Sequence, residues 1–315
     1  MADIVIPEFM DETALAAFEG RYSFLYDPKL VDAPERLREV VRDCKGMIVR
    51  NMLQVRGALL DAATRLQVIG RHGVGLDNID LVACKARNIT VCPATGANDV
   101  SVAEYVIATT MLLLRRAYGS SAALADGSWP REALIGREVS GKVLGLVGFG
   151  NIGRETARRA QALGMSVITA DPFVGVSDPV WMASGVRPLS LATLLGKADV
   201  VSLHLPLTPN TSNLIDTEAL ALMKPGAVLI NTARGGIVDE AALIKALRAG
   251  VLGGAALDVF ASEPLTAAAG AIFKDVPNLV LTPHIAGLTR EANARVASVT
   301  VANVLRVLDA HAQAG

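Results

Sequence analysis

Short apolar runs alternate along this chain with longer stretches in which apolar side chains recur every three or four positions. In residues 1–97 the runs DIVIPEF, RYSFLYD, GMIVRN, LQVIGRHG and ITVCPAT predict strands. Between them, residues 10–20 predict a helix with Asp11 as N-cap and Gly20 as its stop. Residues 34–46 predict another, with Pro34 in the first turn and Leu37, Val40 and Val41 on one face. Residues 98–117 are so apolar that they predict a helix buried nearly all round. Strand and helix signals alternate again from 142 to 284, through KVLGLVG, SVITADP, DVVSLHLP, GAVLINTA, GGAALDVF and NLVLTPH. A single helix is predicted over 288–311. Such alternation predicts an α/β fold with parallel sheets.

A length of 315 residues suits two domains. One helix after His284 is too little for a third, so it is expected to pack back on the first. The expected organisation is two Rossmann-like or flavodoxin-like domains, one inserted into the other. A discontinuous substrate domain takes residues 1–97 and 286–315, and a dinucleotide domain takes 98–285.

The inserted part carries the cofactor signal. Gly148, Gly150 and Gly153 stand in G-x-G-x-x-G spacing between a strand and a helix. The first suits a tight turn, the second a close backbone approach to a pyrophosphate, and the third close packing of helix on strand. Asn151 and Ile152 open that helix, whose small apolar face is expected at Ala157, Ala160 and Leu163. Arg154 could add charge to the phosphates or lie in solvent. Asp171, 23 residues after Gly148, ends the next strand, where an acid accepts from ribose hydroxyls and repels a 2′-phosphate. No Lys or Arg follows it in DPFVGVSDP, which favours NAD over NADP.

Arg234, Glu263 and His284 each fall just after a predicted strand, at the end where open α/β sheets bind ligands. Their chemistry suits reduction of a 2-keto acid. Arg234 can grip a carboxylate as a fork and polarise a carbonyl. His284 can give a proton to the developing oxygen and take it back in the reverse direction. Glu263 beside the imidazole would fix its tautomer and favour its charged form.

With GFGNIG upstream, the motifs NTARGGIVDEAAL, ALDVFASEPL, LTPHIAG, HLPLTPNT and GRHGVGLDNID together resemble the D-isomer-specific 2-hydroxyacid dehydrogenase family across essentially the whole chain. The resemblance implies a split substrate domain, an inserted NAD domain, and a homodimer built largely on the latter. It implies Arg234, Glu263 and His284 as the catalytic set, Thr232 and Ala233 lining the cofactor, and Asp258 at the nicotinamide carboxamide. It also implies the backbone at Val74 and Gly75 as receiver of the substrate carboxylate. After the C-terminal helix no regulatory domain of the kind carried by longer phosphoglycerate dehydrogenases is expected, and hence no serine-type feedback.

The substrate stays open at this point. Arg50, in VRNMLQVRG, stands where phosphoglycerate dehydrogenases place a phosphate-binding arginine, and Arg71 stands where some of them face substrate. Two cations would suit a second anionic group, whether phosphate, sulfonate or carboxylate. The opening IVIPEFMDE resembles the sulfolactate dehydrogenase branch. A simple acid such as glyoxylate or hydroxypyruvate is the alternative, with Arg50 and Arg71 as solvated loop residues. Two further rivals are a formate dehydrogenase, which carries glutamine at the Glu263 position, and a corepressor-like NAD(H)-sensing protein. His72 reads as a loop residue without a role, and His204 as a strand-end residue near the cofactor.

Composition adds exclusions. Thirty Lys and Arg against 31 Asp and Glu, a net charge of −1, give no reason to expect nucleic acid or an acidic membrane. The apolar segment 100–114 is interrupted by Glu104 and too short to span a bilayer. Cys44, Cys84 and Cys92 form no CxxC pair and have no His at metal-ligand spacing, so they read as buried thiols of a cytoplasmic protein, with no metal site expected.

Overall fold

The computed structural model of the chain describes residues 2–175 and 177–314. They form two compact units: one runs to Asn98 and resumes at Leu288, the other is Asp99–Gly287.

The first unit is built on five parallel strands, β1 (Ile4–Ile6), β2 (Phe24–Tyr26), β3 (Gly46–Val49), β4 (Val68–Arg71) and β5 (Thr90–Pro93), in the order β2-β1-β3-β4-β5. That is the flavodoxin-like order. Both faces of the sheet are covered, which is why its strands read as continuous apolar runs. On β1, Val5 packs into a core with Leu37, Val41 and Met47, while Ile4 and Ile6 face a second core on the other side. That second core is closed by helix Arg290–Ala314 through Ala297, Val301, Val304 and Leu308. The helix lies close because β4 carries Gly70: a Cβ there would stand 2.6 Å from a Val304 methyl and 2.9 Å from that of Thr300.

The second unit has seven parallel strands, β6 (Val143–Val147), β7 (Ser166–Ala170), β8 (Arg187–Pro188), β9 (Val200–Leu203), β10 (Val228–Asn231), β11 (Gly254–Leu257) and β12 (Leu279–Leu281). Their order is β12-β11-β10-β9-β6-β7-β8. Strand order reverses between β6 and β9, paired from Leu144↔Val200 to Val147↔Leu203, and this reversal is where such sheets bind nucleotides. The fold class expected from the pattern is therefore the one observed.

Several elements differ in detail. The helix expected over 10–20 is a 3-10 helix, Glu12–Phe18, with Asp11 accepting from the Thr13 amide and Gly20 at φ +71° behind it. Three residues per turn put Leu15 and Phe18 in line, and both are buried. The helix over 34–46 stops at Val40, and the one over 288–311 becomes Arg290–Ala314. Helix Asp99–Arg115 is not buried all round: Val100, Glu104, Ala108, Met111 and Arg115 form an exposed stripe opposite Val106, Thr110 and Leu113. Leu163 is not part of the buried face of helix Asn151–Ala162; it is the partly exposed C-cap, and Gly153, Thr156, Ala157 and Ala160 are the buried set. Among the described residues no helix is long and apolar enough to cross a membrane.

Candidate active site

The chain leaves β6 into a turn that only glycine can make. Gly148 has φ +97°, and a Cβ there would stand 2.3 Å from the carbonyl oxygen of His204. A Cβ on Gly153 would meet the Gly148 carbonyl at 2.6 Å, whereas Gly150 faces open space. Helix Asn151–Ala162 starts at Gly150, and among the described residues it has no side-chain cap bond there. Asn151 is exposed and Ile152 half-buried on that first turn. Asp171, just past β7, accepts from the Phe149 amide at 2.8 Å through Oδ2 and from the Phe173 amide at 2.9 Å through Oδ1. Arg154 folds back on the turn instead of reaching out: its Nε donates to the Phe149 carbonyl at 3.0 Å.

Past β10, Asn231 braces the next loop. Its Nδ2 donates to the Arg234 carbonyl at 2.9 Å, and its Oδ1 accepts from the Ala233 amide at 3.0 Å. Ala233 is buried, and the buried Thr232 hydroxyl has no hydrogen-bond partner among the described residues. Free helix amides, an open Gly150 and an orphaned hydroxyl are what a dinucleotide would satisfy. The residues fit the cofactor. His204, just past β9, contacts Ser202 Oγ at 3.0 Å, and burial pushes its pKa down to about 4, so it stays neutral.

Arg234, Glu263 and His284 follow the adjacent strands β10, β11 and β12. His284 Nδ1 lies 2.7 Å from Glu263 Oε2, and Glu263 Oε1 accepts from the Phe260 amide at 2.9 Å. With Nδ1 engaged, Nε2 is the imidazole nitrogen left for a substrate, on a side chain 46% exposed. Arg234 Nη1 donates to the Ala233 carbonyl at 2.6 Å. The next residue has to be glycine, because a Cβ on Gly235 would stand 1.7 Å from the Phe260 carbonyl oxygen. The loops bearing Arg234 and Glu263 are thereby in contact.

His284 sits at φ +54°, a conformation costly for a side chain of its size. It is held by Asp258, which is 1% exposed. The Asp258 carbonyl accepts from the His284 amide at 2.8 Å. Its carboxylate accepts from the Ile285 amide (2.8 Å), the Ala286 amide (2.9 Å) and the Thr282 hydroxyl (2.6 Å). The Thr282 hydroxyl gives its one proton to Asp258, so the Tyr105 hydroxyl, 2.6 Å away, donates to it. Asp258 therefore has a job inside the protein besides the cofactor contact that the resemblance implies. No spacing in the sequence singles out Tyr105 or Thr282; the nearest signal is that Thr282 leads into the strand-end Pro-His pair.

In the first unit, the buried Glu8 accepts from the Arg50 amide at 2.6 Å and the Met52 amide at 2.9 Å. This fixes the loop after β3. A cleft of about 410 Å³ lies beside it, with Arg50, His72 and Arg290 among its lining residues. Arg71 is not among them; its Nη1 donates to the His72 carbonyl at 2.5 Å. Val74 and Gly75 are half-buried in the turn after β4. His72, read from the sequence as a loop residue, is 6% exposed.

Residues 107–286 match the family described as D-isomer specific 2-hydroxyacid dehydrogenase, NAD binding domain. The (S)-sulfolactate dehydrogenase of Chromohalobacter salexigens is 53% identical, covering 99% of this chain and 100% of the relative. The D-3-phosphoglycerate dehydrogenase of Pongo abelii is 41% identical over 83% of this chain, which matches only 48% of that longer protein. The crystal structure of a D-lactate dehydrogenase from Aquifex aeolicus complexed with NAD and lactic acid superposes with a TM-score of 0.82 at 27% identity, over 98% of this chain and 96% of that one. The family match takes in the glycine turn and all three strand-end residues, and with it the chain belongs to the D-isomer specific 2-hydroxyacid dehydrogenases, NAD-dependent oxidoreductases that interconvert a small 2-hydroxy acid and its 2-keto acid.

Proposed function

We propose that the substrate is a three-carbon 2-hydroxy acid with a second anionic group, of the sulfolactate class. The observation that carries this reading is the cleft bearing Arg50 in the first unit, in a chain similar from end to end to an (S)-sulfolactate dehydrogenase. An arginine in a cleft asks for an anion.

The unit that runs to Asn98 and resumes at Leu288 takes the substrate, with Arg50 on its distal anion and the backbone at Val74 and Gly75 on its carboxylate. Arg71 supports this loop. The unit Asp99–Gly287 takes NAD: Gly148, Gly150, Asn151, Ile152 and Gly153 at the pyrophosphate, Asp171 at the ribose, Thr232, Ala233 and Asp258 toward the nicotinamide. NAD, when bound, supplies or accepts the hydride. Arg234 grips the carboxylate and polarises the carbonyl. His284 gives its Nε2 proton to the carbonyl oxygen as the keto acid is reduced and takes it back in oxidation. Glu263 keeps Nδ1 protonated, so that Nε2 is the nitrogen that exchanges, and stabilises the imidazolium. A carboxylate here suits an alcohol proton; formate oxidation releases none.

Two copies joined through the second unit, with Val100 and Met111 of the exposed stripe covered, and a cytoplasmic setting complete the reading. Light scattering in solution tests the dimer. The substrate is tested by NADH consumption with sulfopyruvate, 3-phosphohydroxypyruvate, hydroxypyruvate, oxaloacetate, pyruvate and glyoxylate. Sulfopyruvate should show the highest kcat/KM. A preference for glyoxylate or pyruvate would overturn the substrate class.

A further inference from the structure

The cleft beside β1, β3 and β4 holds more than one cation. It is lined by Arg50 and Arg290, by His72 and Asn293, and by Asp11 and Glu12. Arg290 and Asn293 open the 25-residue helix Arg290–Ala314. His72 is 6% exposed, and its Nε2 is buried with no hydrogen-bond partner among the described residues. A buried polar atom left unpaired is a cost that a ligand atom can remove. Burial first, and then the charges of Arg50 and Arg71, push the His72 pKa down to about 4, so the ring is neutral at physiological pH.

The charges in the cleft balance, two guanidinium groups against two carboxylates. With both cations already offset, each added negative charge leaves the cleft net negative, and a second adds its own repulsion and desolvation to those of the first, so one is tolerated better than two. A sulfonate carries a single charge, whereas a phosphate monoester carries about −1.5 to −2 at pH 7. A tetrahedral group also presents three oxygens, matching two guanidinium groups and one neutral side-chain donor.

We propose that His72 and Arg290, together with Arg50, form a recognition site for a singly charged tetrahedral group at the far end of the substrate, and that Asp11 and Glu12 exclude doubly charged ones. This rests on the proposed reading that the first unit takes the substrate, and it adds the residues that discriminate sulfonate from phosphate.

Arg290→Gln and His72→Asn are compared with the wild type for kcat and KM on sulfopyruvate, 3-phosphohydroxypyruvate and pyruvate. The KM for NADH and the far-UV spectrum report on folding. In each variant the kcat/KM preference for sulfopyruvate over pyruvate should fall roughly 10-fold or more through KM, the scale of a lost charged or buried hydrogen bond. In Asp11→Asn/Glu12→Gln, where Asn preserves the cap on Glu12–Phe18, the ratio of 3-phosphohydroxypyruvate to sulfopyruvate should rise by about 10-fold. In the wild type, ethanesulfonate should compete with sulfopyruvate more strongly than ethyl phosphate does, which needs no variant to fold. If the wild type prefers sulfopyruvate but the variants keep that preference, or ethyl phosphate competes better, the recognition site is wrong and the substrate class stands. If the wild type shows no preference for an anionic tail, the substrate class itself has failed.

Discussion

Glu263 and His284 hang from different strands, yet their side chains meet at 2.7 Å, Oε2 to Nδ1. The Phe260 amide holds the other Glu263 oxygen, so the carboxylate cannot turn away from the ring without losing a second bond. Glu263→Gln keeps an acceptor for Nδ1 but removes the charge. Turnover should fall by about 10- to 100-fold, and His284→Ala should cost about 10² or more, the usual contribution of a general acid. Steady-state kinetics beside NADH titration by fluorescence checks this. Unchanged turnover in His284→Ala would remove the assignment.

Asp258 is the anchor of the left-handed His284 backbone. In Asp258→Asn an amide NH₂ replaces one oxygen, and either an amide donor or the Thr282 hydroxyl loses its acceptor. A loss of about 1–3 kcal/mol is expected. Exchange of the Ile285 and Ala286 amides with D₂O should speed up, and kcat should fall with it. Tyr105→Phe removes only the outermost hydroxyl and should give a smaller change of the same kind. Protected amides in Asp258→Asn would show that the loop is held by something else.

Asp171 presents both oxygens to the glycine turn and the loop beyond it. Asp171→Ala should raise the KM for NADH and move the NADH to NADPH preference toward NADPH by roughly tenfold or more, since the repulsion of a 2′-phosphate is gone. An unaltered ratio would refute the ribose assignment.

Asp199 gives a pH dependence. Burial alone would raise its carboxyl, but the hydrogen bonds from Lys224 Nζ (2.7 Å) and the Val143 amide (2.9 Å) and the charges of Lys224 and Arg137 outweigh it and hold the pKa below the usual aspartate range. A depressed folded pKa contributes stability that is complete above about pH 4 and drains away as the pH falls through the folded value. The melting temperature should therefore fall more steeply below about pH 4 in the wild type than in Asp199→Asn. The two curves, separate at neutral pH, should converge in acid. Parallel curves would show that Asp199 adds nothing through its charge.

Much of this was legible in the sequence because the period of a pattern reports on one element at a time. Strands buried on both faces write apolar runs, the glycine triplet writes a turn, and Arg234, Glu263 and His284 stand out by following strands. The exposed stripe of helix Asp99–Arg115 was not legible, since Val100, Ala108 and Met111 look like core residues until the sheet shows which side it covers. Nor was the path from Tyr105 through Thr282 to Asp258, which joins positions 177 residues apart by single hydroxyl contacts. His72 lies in a loop, as its position suggests, but its burial was not legible, because it comes from side chains distant in the sequence.

The closing of the first sheet by helix Arg290–Ala314 has a consequence for biosynthesis. During translation Ile4, Ile6, Ile48 and Val68 emerge early, with Met10, Leu15 and Phe18 of the same core, and the helix residues that complete it emerge only after the whole of Asp99–Gly287 has been made. The second unit is one unbroken stretch and can complete its core while still tethered to the ribosome. Folding thus runs against the order of synthesis: the unit begun first is finished last, and its incompletely covered sheet face is the surface a holding chaperone would meet in the nascent chain.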